Sequence, residues 1–472
     1  MGNQSPAADK TVKLDRVQLI SSLPNLLQPK TSADIQTKKI LDTLAALPSP
    51  VERIDIFEDM FKPGLTGQIQ LRDTQSLSNL AFMRGLEQLW LEFSVKDKQT
   101  GKDRSFGPMA FSVYNQSNRS PANRATETYT LGICSPEVIF SVARKISRSY
   151  WDFPENIIKE IIESGYGLNS KKPFVDIETT TSKIRIVVPY MRPLEVIQLL
   201  TLQGQAATNE TNYMFFETLE GYHYTSFRRL LELAIKNPDI PTLYMELAGQ
   251  NMDGNTKTRI KAEQLQVVSG FDMMYALSRG YFSSVTIAPD VLSGQCGIEI
   301  SSIAQTGSTV EYADRQKLND IDFYPESMGL GTPATSRIFL VPTTHISAAN
   351  PLVTDKDPDA KYRNNFIAQT LDGRNRELLG LQLRCIRGVV AGAPELHAGS
   401  VINVNFPTTI NNKNRGAPHQ DVASGRYIII NAKHSIVPDG VGQSFFYETT
   451  FEAVTDSIST TPNMNDINQR FA

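Results

Sequence analysis

The chain is poor in the residues that carry most recognisable chemistry. Cysteine occurs only at Cys134, Cys296 and Cys385 in 472 residues, an odd and scattered set that excludes a disulfide framework and a thiolate metal site. The five histidines, His223, His345, His397, His419 and His434, lack the i, i+4 spacing of a helical zinc site. No G-x-S-x-G elbow and no phosphate-binding G-x-x-x-x-G-K-[ST] loop is present. Gly329, Gly331 and Ala334 imitate a dinucleotide fingerprint, but Pro333 interrupts it and no apolar strand leads into it. No run of about 18 apolar residues occurs, so no transmembrane helix is expected. The segment Met1–Pro6 lacks the charged and apolar regions of a signal peptide and places Pro6 where a myristoylation motif needs Ser or Thr. These features lead us to expect a protein made in a reducing cytoplasm, with no metal, no cofactor and no membrane partner.

Excess charge of one sign is absent too. With 47 basic and 50 acidic residues the net charge is −3, which removes the sequence-level case for phosphate binding. The pairs Lys38-Lys39, Lys171-Lys172 and Arg228-Arg229 stand alone, without aromatic interleaving, and read as solvated faces. Glu58-Asp59 and Glu377 invite comparison with a glycosidase acid pair. Beside Phe57 and Met60, however, the first pair reads as the solvent side of a strand. His434 falls in the alternation Ile430, Ala432, His434, Ile436 and reads as a core or interface histidine. We assign no catalytic, cofactor-binding or metal-binding residue.

What the chain does have is β patterning. Apolar residues make up 40%, ample for about three domains. Leu89, Leu91, Phe93 and Val95 share one face of a strand, as do Phe445, Tyr447, Thr449, Phe451 and Ala453. Lys96–Lys102 reads as a turn before a return strand near Met109–Tyr114, and 399–406 and 427–437 read as further strands. Between these lie three amphipathic helices. The first is capped by Ser135, opens with Pro136 and shows Val138, Ile139, Val142 and Ile146; the second starts near Pro154 with Ile157, Ile158, Ile161 and Ile162; the third starts at Pro193 with Leu194, Ile197 and Leu200. Residues 251–375 are loop-rich, with a plausible strand at 283–287, long loops at 320–345 and 348–359, and a helix or strand at 273–277. The fold class is α+β, predominantly β, and the strand lengths at the C-terminal end fit a small barrel or curved sheet. The expected division is an N-terminal arm at 1–35, flexible or ordered by a neighbour, then a first tube-like β-domain at 36–133 and a helix-containing middle domain at 134–250. A loop-rich β region at 251–375, a C-terminal β-barrel at 376–457 and a tail at 458–472 complete it.

The most distinctive segment is 213–231. Tyr213–Glu217 and Tyr222–Phe227 are aromatic strand runs joined by a turn at Leu219–Gly221, and Ser226 caps a helix with Leu230, Leu231 and Ile235 on one face. The wording of this hairpin resembles that of the central hub protein of contractile-tailed bacteriophage baseplates, which is related to the hub part of type VI secretion spike proteins. Segments 54–61, 65–74, 87–93, 135–197, 425–436 and 447–457 resemble the same family in the same order, so the resemblance spans roughly residues 40–457. It implies two tube-like β-barrel domains with helix-containing inserted domains, in a non-enzymatic homotrimer of such duplicated barrels. This ring would adapt a trimeric tail spike to a hexameric tail tube, contact baseplate wedge proteins, and form part of the DNA ejection channel without stable nucleic-acid binding. It implies a location in the virion tail after assembly in the host cytoplasm. Gln68, Gln70, Glu92 and Glu452 are then candidates for the lumen or the outer surface. The alternatives are a homologous hub of a bacterial contractile injection system or tailocin, and a tail-associated cell-wall hydrolase.

Overall fold

The computed structural model describes residues 11–20, 51–74, 85, 87–96, 103–181, 183–206, 212–237, 240–245, 259–270, 272–281, 283–289, 296–302, 316–317, 337–341, 374–375, 378–381, 384–406, 423–439, 445–455 and 457–458. The strands are β1 (Thr11–Ile20), β2 (Val51–Asp59), β3 (Thr66–Asp73), β4 (Gln88–Lys96), β5 (Asp103–Asn123), β6 (Thr126–Cys134), β7 (Ile146–Asp152), β8 (Phe174–Ile177), β9 (Ile184–Met191), β10 (Tyr213–Thr218) and β11 (Gly221–Ser226). They continue as β12 (Thr242–Tyr244), β13 (Arg259–Ser269), β14 (Ser283–Pro289), β15 (Cys296–Ser302), β16 (Gln316–Lys317), β17 (Arg337–Leu340), β18 (Arg384–Ala391), β19 (Val401–Asn405), β20 (Gly425–Pro438), β21 (Phe445–Thr455) and β22 (Ser457–Ile458). The helices are α1 (Pro136–Ala143), α2 (Pro154–Glu163), α3 (Pro193–Thr201), α4 (Phe227–Lys236) and α5 (Met273–Ser278). The fold is predominantly β.

Twelve strands close into one ring, in the order β1-β21-β18-β13-β12-β19-β20-β2-β3-β6-β5-β4. A cross-pairing between β20 and β21 divides this ring into two barrels that share those two strands. One half of the ribbon, with β2 and β1 on its outer edges, completes an eight-stranded barrel; the other half, with β19 and β18 outside it, completes a six-stranded one. The alternation at 445–453 explains how one strand serves both. Phe445 and Tyr447 point into the first core with Leu91, Phe93, Ile54 and Ile133. Phe451 and Ala453 point into the second with Ile386, Val390, Leu243 and Ile429. Gly388 pairs with Phe451, and a Cβ there would meet the phenyl ring at 2.3 Å, so glycine makes room for the aromatic that fills the smaller barrel.

Two expectations are corrected here. Residues 11–20 are not an arm: they form β1, which pairs with β4 and β21 and closes the larger barrel. The barrels are not built from contiguous segments either, because each takes half of the ribbon at 425–455. Period-2 patterning locates strands but is silent on which barrel a long strand belongs to.

Between β6 and β12 lies an inserted layer. The ribbon β7–β9 packs on α2 and α3 around Ile157, Ile161, Ile186 and Ile197. The second and third helices bury the expected faces, since Ile157, Ile158, Ile161, Ile162, Leu194, Ile197 and Leu200 are all buried. The first helix departs from its pattern: it ends at Ala143, leaves Val142 exposed, and Ile146 opens β7. The hairpin β10–β11, with β8 parallel to it, stands between the inserted layer and the barrels. All of its strand residues are buried, because both faces are covered. Tyr213, Phe215, Tyr222 and Tyr224 face the helices, whereas Met214 and Phe216 face Met60, Val401 and Ile428 on the barrel side. That double burial is the reason for an aromatic run without polar alternation. Gly221 has φ +146° and an added Cβ would lie 2.3 Å from the Pro173 carbonyl oxygen, so the turn admits glycine alone. Further out, β14 is flanked by β15 and by β17, a strand inside a segment expected to be loop.

Leu91→Asp or Phe451→Asp places an unpaired carboxylate in one barrel core and is expected to remove several kcal/mol of stability, about 3 or more. Glu92→Gln, on the outer side of β4, is expected to change stability by less than about 0.5 kcal/mol. Urea denaturation midpoints of the three variants check this.

Candidate functional site

Two buried polar clusters lie at the two sides of the β10–β11 turn, where the inserted layer meets both barrels. On the helix side, Glu217 at the end of β10 is buried. Its Oε2 accepts from the Leu65 N–H at 3.1 Å and from the Ser135 Oγ at 2.7 Å, and its Oε1 accepts from Lys172 Nζ at 2.6 Å. Lys172 also donates to Glu137 Oε2 at 2.7 Å, and Ser170 Oγ donates to Glu137 Oε1 at 2.7 Å. One cation is thus held between two carboxylates. Burial opposes the Lys172 charge, but Glu217 and Glu137 outweigh it and raise its pKa. Burial also opposes ionisation of Glu137, yet Lys172 and Ser170 pull its carboxyl below the usual range. Glu217 goes the other way: burial, with Glu137 nearby, pushes its carboxyl up against the pull of Lys172. Its partner Ser135 therefore does not cap α1, contrary to expectation, since its hydroxyl is committed to Glu217. Nor is Lys172 a solvated surface cation, as the sequence suggested: its side chain keeps 30% exposure and bridges two acids.

On the barrel side, Glu58 at the end of β2 is wholly buried and is not the solvent side of its strand. Its Oε1 accepts from the Leu219 N–H in the hairpin turn at 2.8 Å, and its Oε2 accepts from the Ala398 N–H of the second barrel's 392–400 loop at 2.8 Å. His434 of β20 brings Nε2 to 3.5 Å from Oε1, and its Nδ1 lies 2.7 Å from the Tyr447 hydroxyl. Burial raises the Glu58 carboxyl, but the His434 ring, His397 and the Ala398 N–H outweigh it and hold it below the ordinary range. A single carboxylate thereby joins three bodies: the larger barrel, the smaller barrel and the hairpin. His223, on the barrel face of β11, stacks on Phe216 at 4.8 Å, faces His397 at 5.9 Å and has Nε2 3.1 Å from Thr218 Oγ1.

A cleft of about 650 Å³ opens beside Glu217, between β5 of the larger barrel and the 171–173 and 217–221 segments. Arg104 and Glu220 form an ion pair across it. The cleft presents Trp90, Phe106 and Met109 together with these charges, a surface suited to a polypeptide contact.

The other residues singled out by sequence fall apart in space. Arg229 makes a two-pronged pair with Asp176 at 2.8 and 3.1 Å, and Arg228 pairs with Glu232 one turn on. Ser226 caps α4 as expected by accepting from the Arg229 N–H. Gln68 donates to Asp55 at 2.9 Å, and Glu452 pairs with Arg387. His345, His419, Glu377, Lys38-Lys39 and 329–334 lie outside the described residues. No group of three or more potential metal ligands occurs among the described residues.

No protein-family model matches this sequence, and no curated protein matches it either. Among solved structures the fold is similar to a tail protein from Neisseria meningitidis, with 10% identity, 86% of this chain and 93% of that one covered, and a TM-score of 0.46. A 43 kDa prophage tail protein from Shewanella oneidensis gives 11% identity, coverage of 86% and 95%, and a TM-score of 0.45. A component of the E. coli type VI secretion system gives 9% identity, coverage of 88% and 76%, and a TM-score of 0.39.

Lys172→Met leaves two buried carboxylates without their cation and is expected to cost about 2–4 kcal/mol, part of it recovered in the Lys172→Met/Glu217→Gln double variant. The pKa of Glu217 is raised on folding, so its contribution is present at low pH and is lost as pH rises through the folded value. Relative to Glu217→Gln, the wild type should therefore gain stability as pH is lowered from 7 towards 4.5, measured by urea titrations across that range.

Proposed function

We propose that this chain is a non-enzymatic hub of a contractile phage tail baseplate, acting as a trimeric ring that adapts a trimeric spike to a hexameric tube. The observation that carries the reading is the pair of barrels fused through one shared ribbon. Three chains of this design present six barrels at fixed spacing, and duplication within a chain is the economical physical answer to a mismatch between three-fold and six-fold rings. The aromatic hairpin supports the same reading. It is the segment that most resembles the hub family, and here it is the wedge that joins barrels to inserted layer. Spike, tube and wedge proteins are the proposed partners, the virion tail is the proposed location after assembly in the host cytoplasm, and DNA is proposed to pass through the ring without stable binding. The two clusters described above supply hydrogen bonds that fix relative position.

Light scattering coupled to chromatography is expected to give a trimer, or a monomer that becomes a trimer when the spike protein is added; a stable dimer or hexamer at micromolar concentration would count against the hub. A near-neutral chain without a basic stripe is also expected to leave double-stranded DNA unshifted in gel assays at about 150 mM salt. Tight, salt-dependent retention would argue instead for a nucleic-acid-binding protein.

A further inference from the structure

The barrel-side cluster gathers more titratable groups than fixing three bodies requires. His223 comes from the hairpin, His397 from the second barrel's loop and His434 from the shared ribbon, and all converge on Glu58 of the first barrel. His223 and His434 are buried, and Glu58 is the carboxylate in direct contact. Asp176 on β8 also acts on His223 but is engaged by Arg229. Glu395 and Arg104 act on Tyr447, the partner of His434.

We propose that this cluster is an acid-sensitive clasp, which undocks the β10–β11 hairpin from the two barrels when His223 takes up a proton. Two rings, His223 and His397, face each other with centroids 5.9 Å apart, one of them flat against Phe216 with an interplanar angle of 4°. Charging the His223 ring puts a cation against the Phe216 face and beside His397, and the nearby carboxylate of Glu58 already accepts two backbone N–H groups and lies against a third histidine. Undocking puts the rings in water and removes the conflict. It breaks at the same moment the Leu219 N–H bond to Glu58, the direct tie between the turn and β2. Burial, then repulsion from His397, lowers His223 from 6.5 to about 4 in the docked state. The sign follows: between these values the undocked state binds the extra proton, so docking is complete above pH 6.5 and weakens as pH falls. Each unit within the window favours undocking about tenfold, to a limit of about 300-fold. From pH 4.5 downward, at the acid end of that window, Glu58 protonation acts in the same direction, since its folded pKa is depressed below 4.5. The clasp is a property of one chain and stands whether or not the chain forms a ring.

Hydrogen exchange with mass spectrometry on the full chain, corrected for intrinsic exchange, tests this at pH 6.5 and 4.5. Protection over 213–226 and 393–400 is expected to fall about 100-fold, while the core strands at 89–95 and 445–453 retain theirs. His223→Gln should flatten the dependence; should that variant not fold, His397→Gln, which removes the facing ring, should shrink it. Protection that is independent of pH, that is lost from core strands and hairpin together, or that falls equally in the folded variants would overturn the clasp.

Discussion

Everything in this fold depends on one ribbon keeping its register through two hydrophobic cores. The pairing of β20 with β21 runs from Ile428–Val454 to Pro438–Phe445, with a single irregularity between Ile429 and Asn431. On β21 the inward positions pass from Phe445 and Tyr447 in one core to Phe451 and Ala453 in the other. A slip of one residue would turn all of them outward at once, so both barrels specify the same register and each guards the other's. The transition between cores falls at Thr449, paired with His434, where the interior briefly becomes polar.

That polar seam is where the inserted layer is attached. A barrel exterior offers an apolar hairpin little directional information, whereas a buried carboxylate demands its donors and so fixes geometry. Glu58 and Glu217 do this on opposite sides of one turn, Glu58 reaching Leu219 and Ala398, and Glu217 reaching Leu65, Ser135 and Lys172. Aromatic burial supplies the adhesion and the two acids supply the alignment.

Much of the architecture was legible in the sequence. Strict alternation marked Leu89–Val95 and 445–453 as half-buried strands, Pro at the first helical position announced three helices, and the unbroken aromatic run marked the hairpin. The polar junctions were not legible. Glu58 follows Phe57 and precedes Asp59, a local context identical to that of an exposed strand end, and its burial comes from Ala398 and Leu219, more than a hundred residues away. Lys172 looked like half of a surface pair because its acids, Glu137 and Glu217, are each distant in sequence. Strand Thr11–Ile20 was overlooked for a related reason: its alternating Val12, Leu14, Val17 and Leu19 sit between polar, proline-bearing stretches, and its bulge between Leu14 and Arg16 breaks the period.

The shared ribbon also orders events in time. The larger barrel begins with β1 at residues 11–20, yet its circuit lacks a wall until residues 431–447 are made, and the smaller barrel waits for the same stretch. During synthesis, β1 to β6 can form only an open sheet with bare edges, while the three-residue strand β12 has no parallel partner at 401–405 to lie against. Contacts of such long sequence separation make folding slow and place barrel closure after β20 and β21 have been made. An unfinished chain would therefore expose sheet edges and aromatic surface, a window in which a chaperone or an early partner is the natural cover.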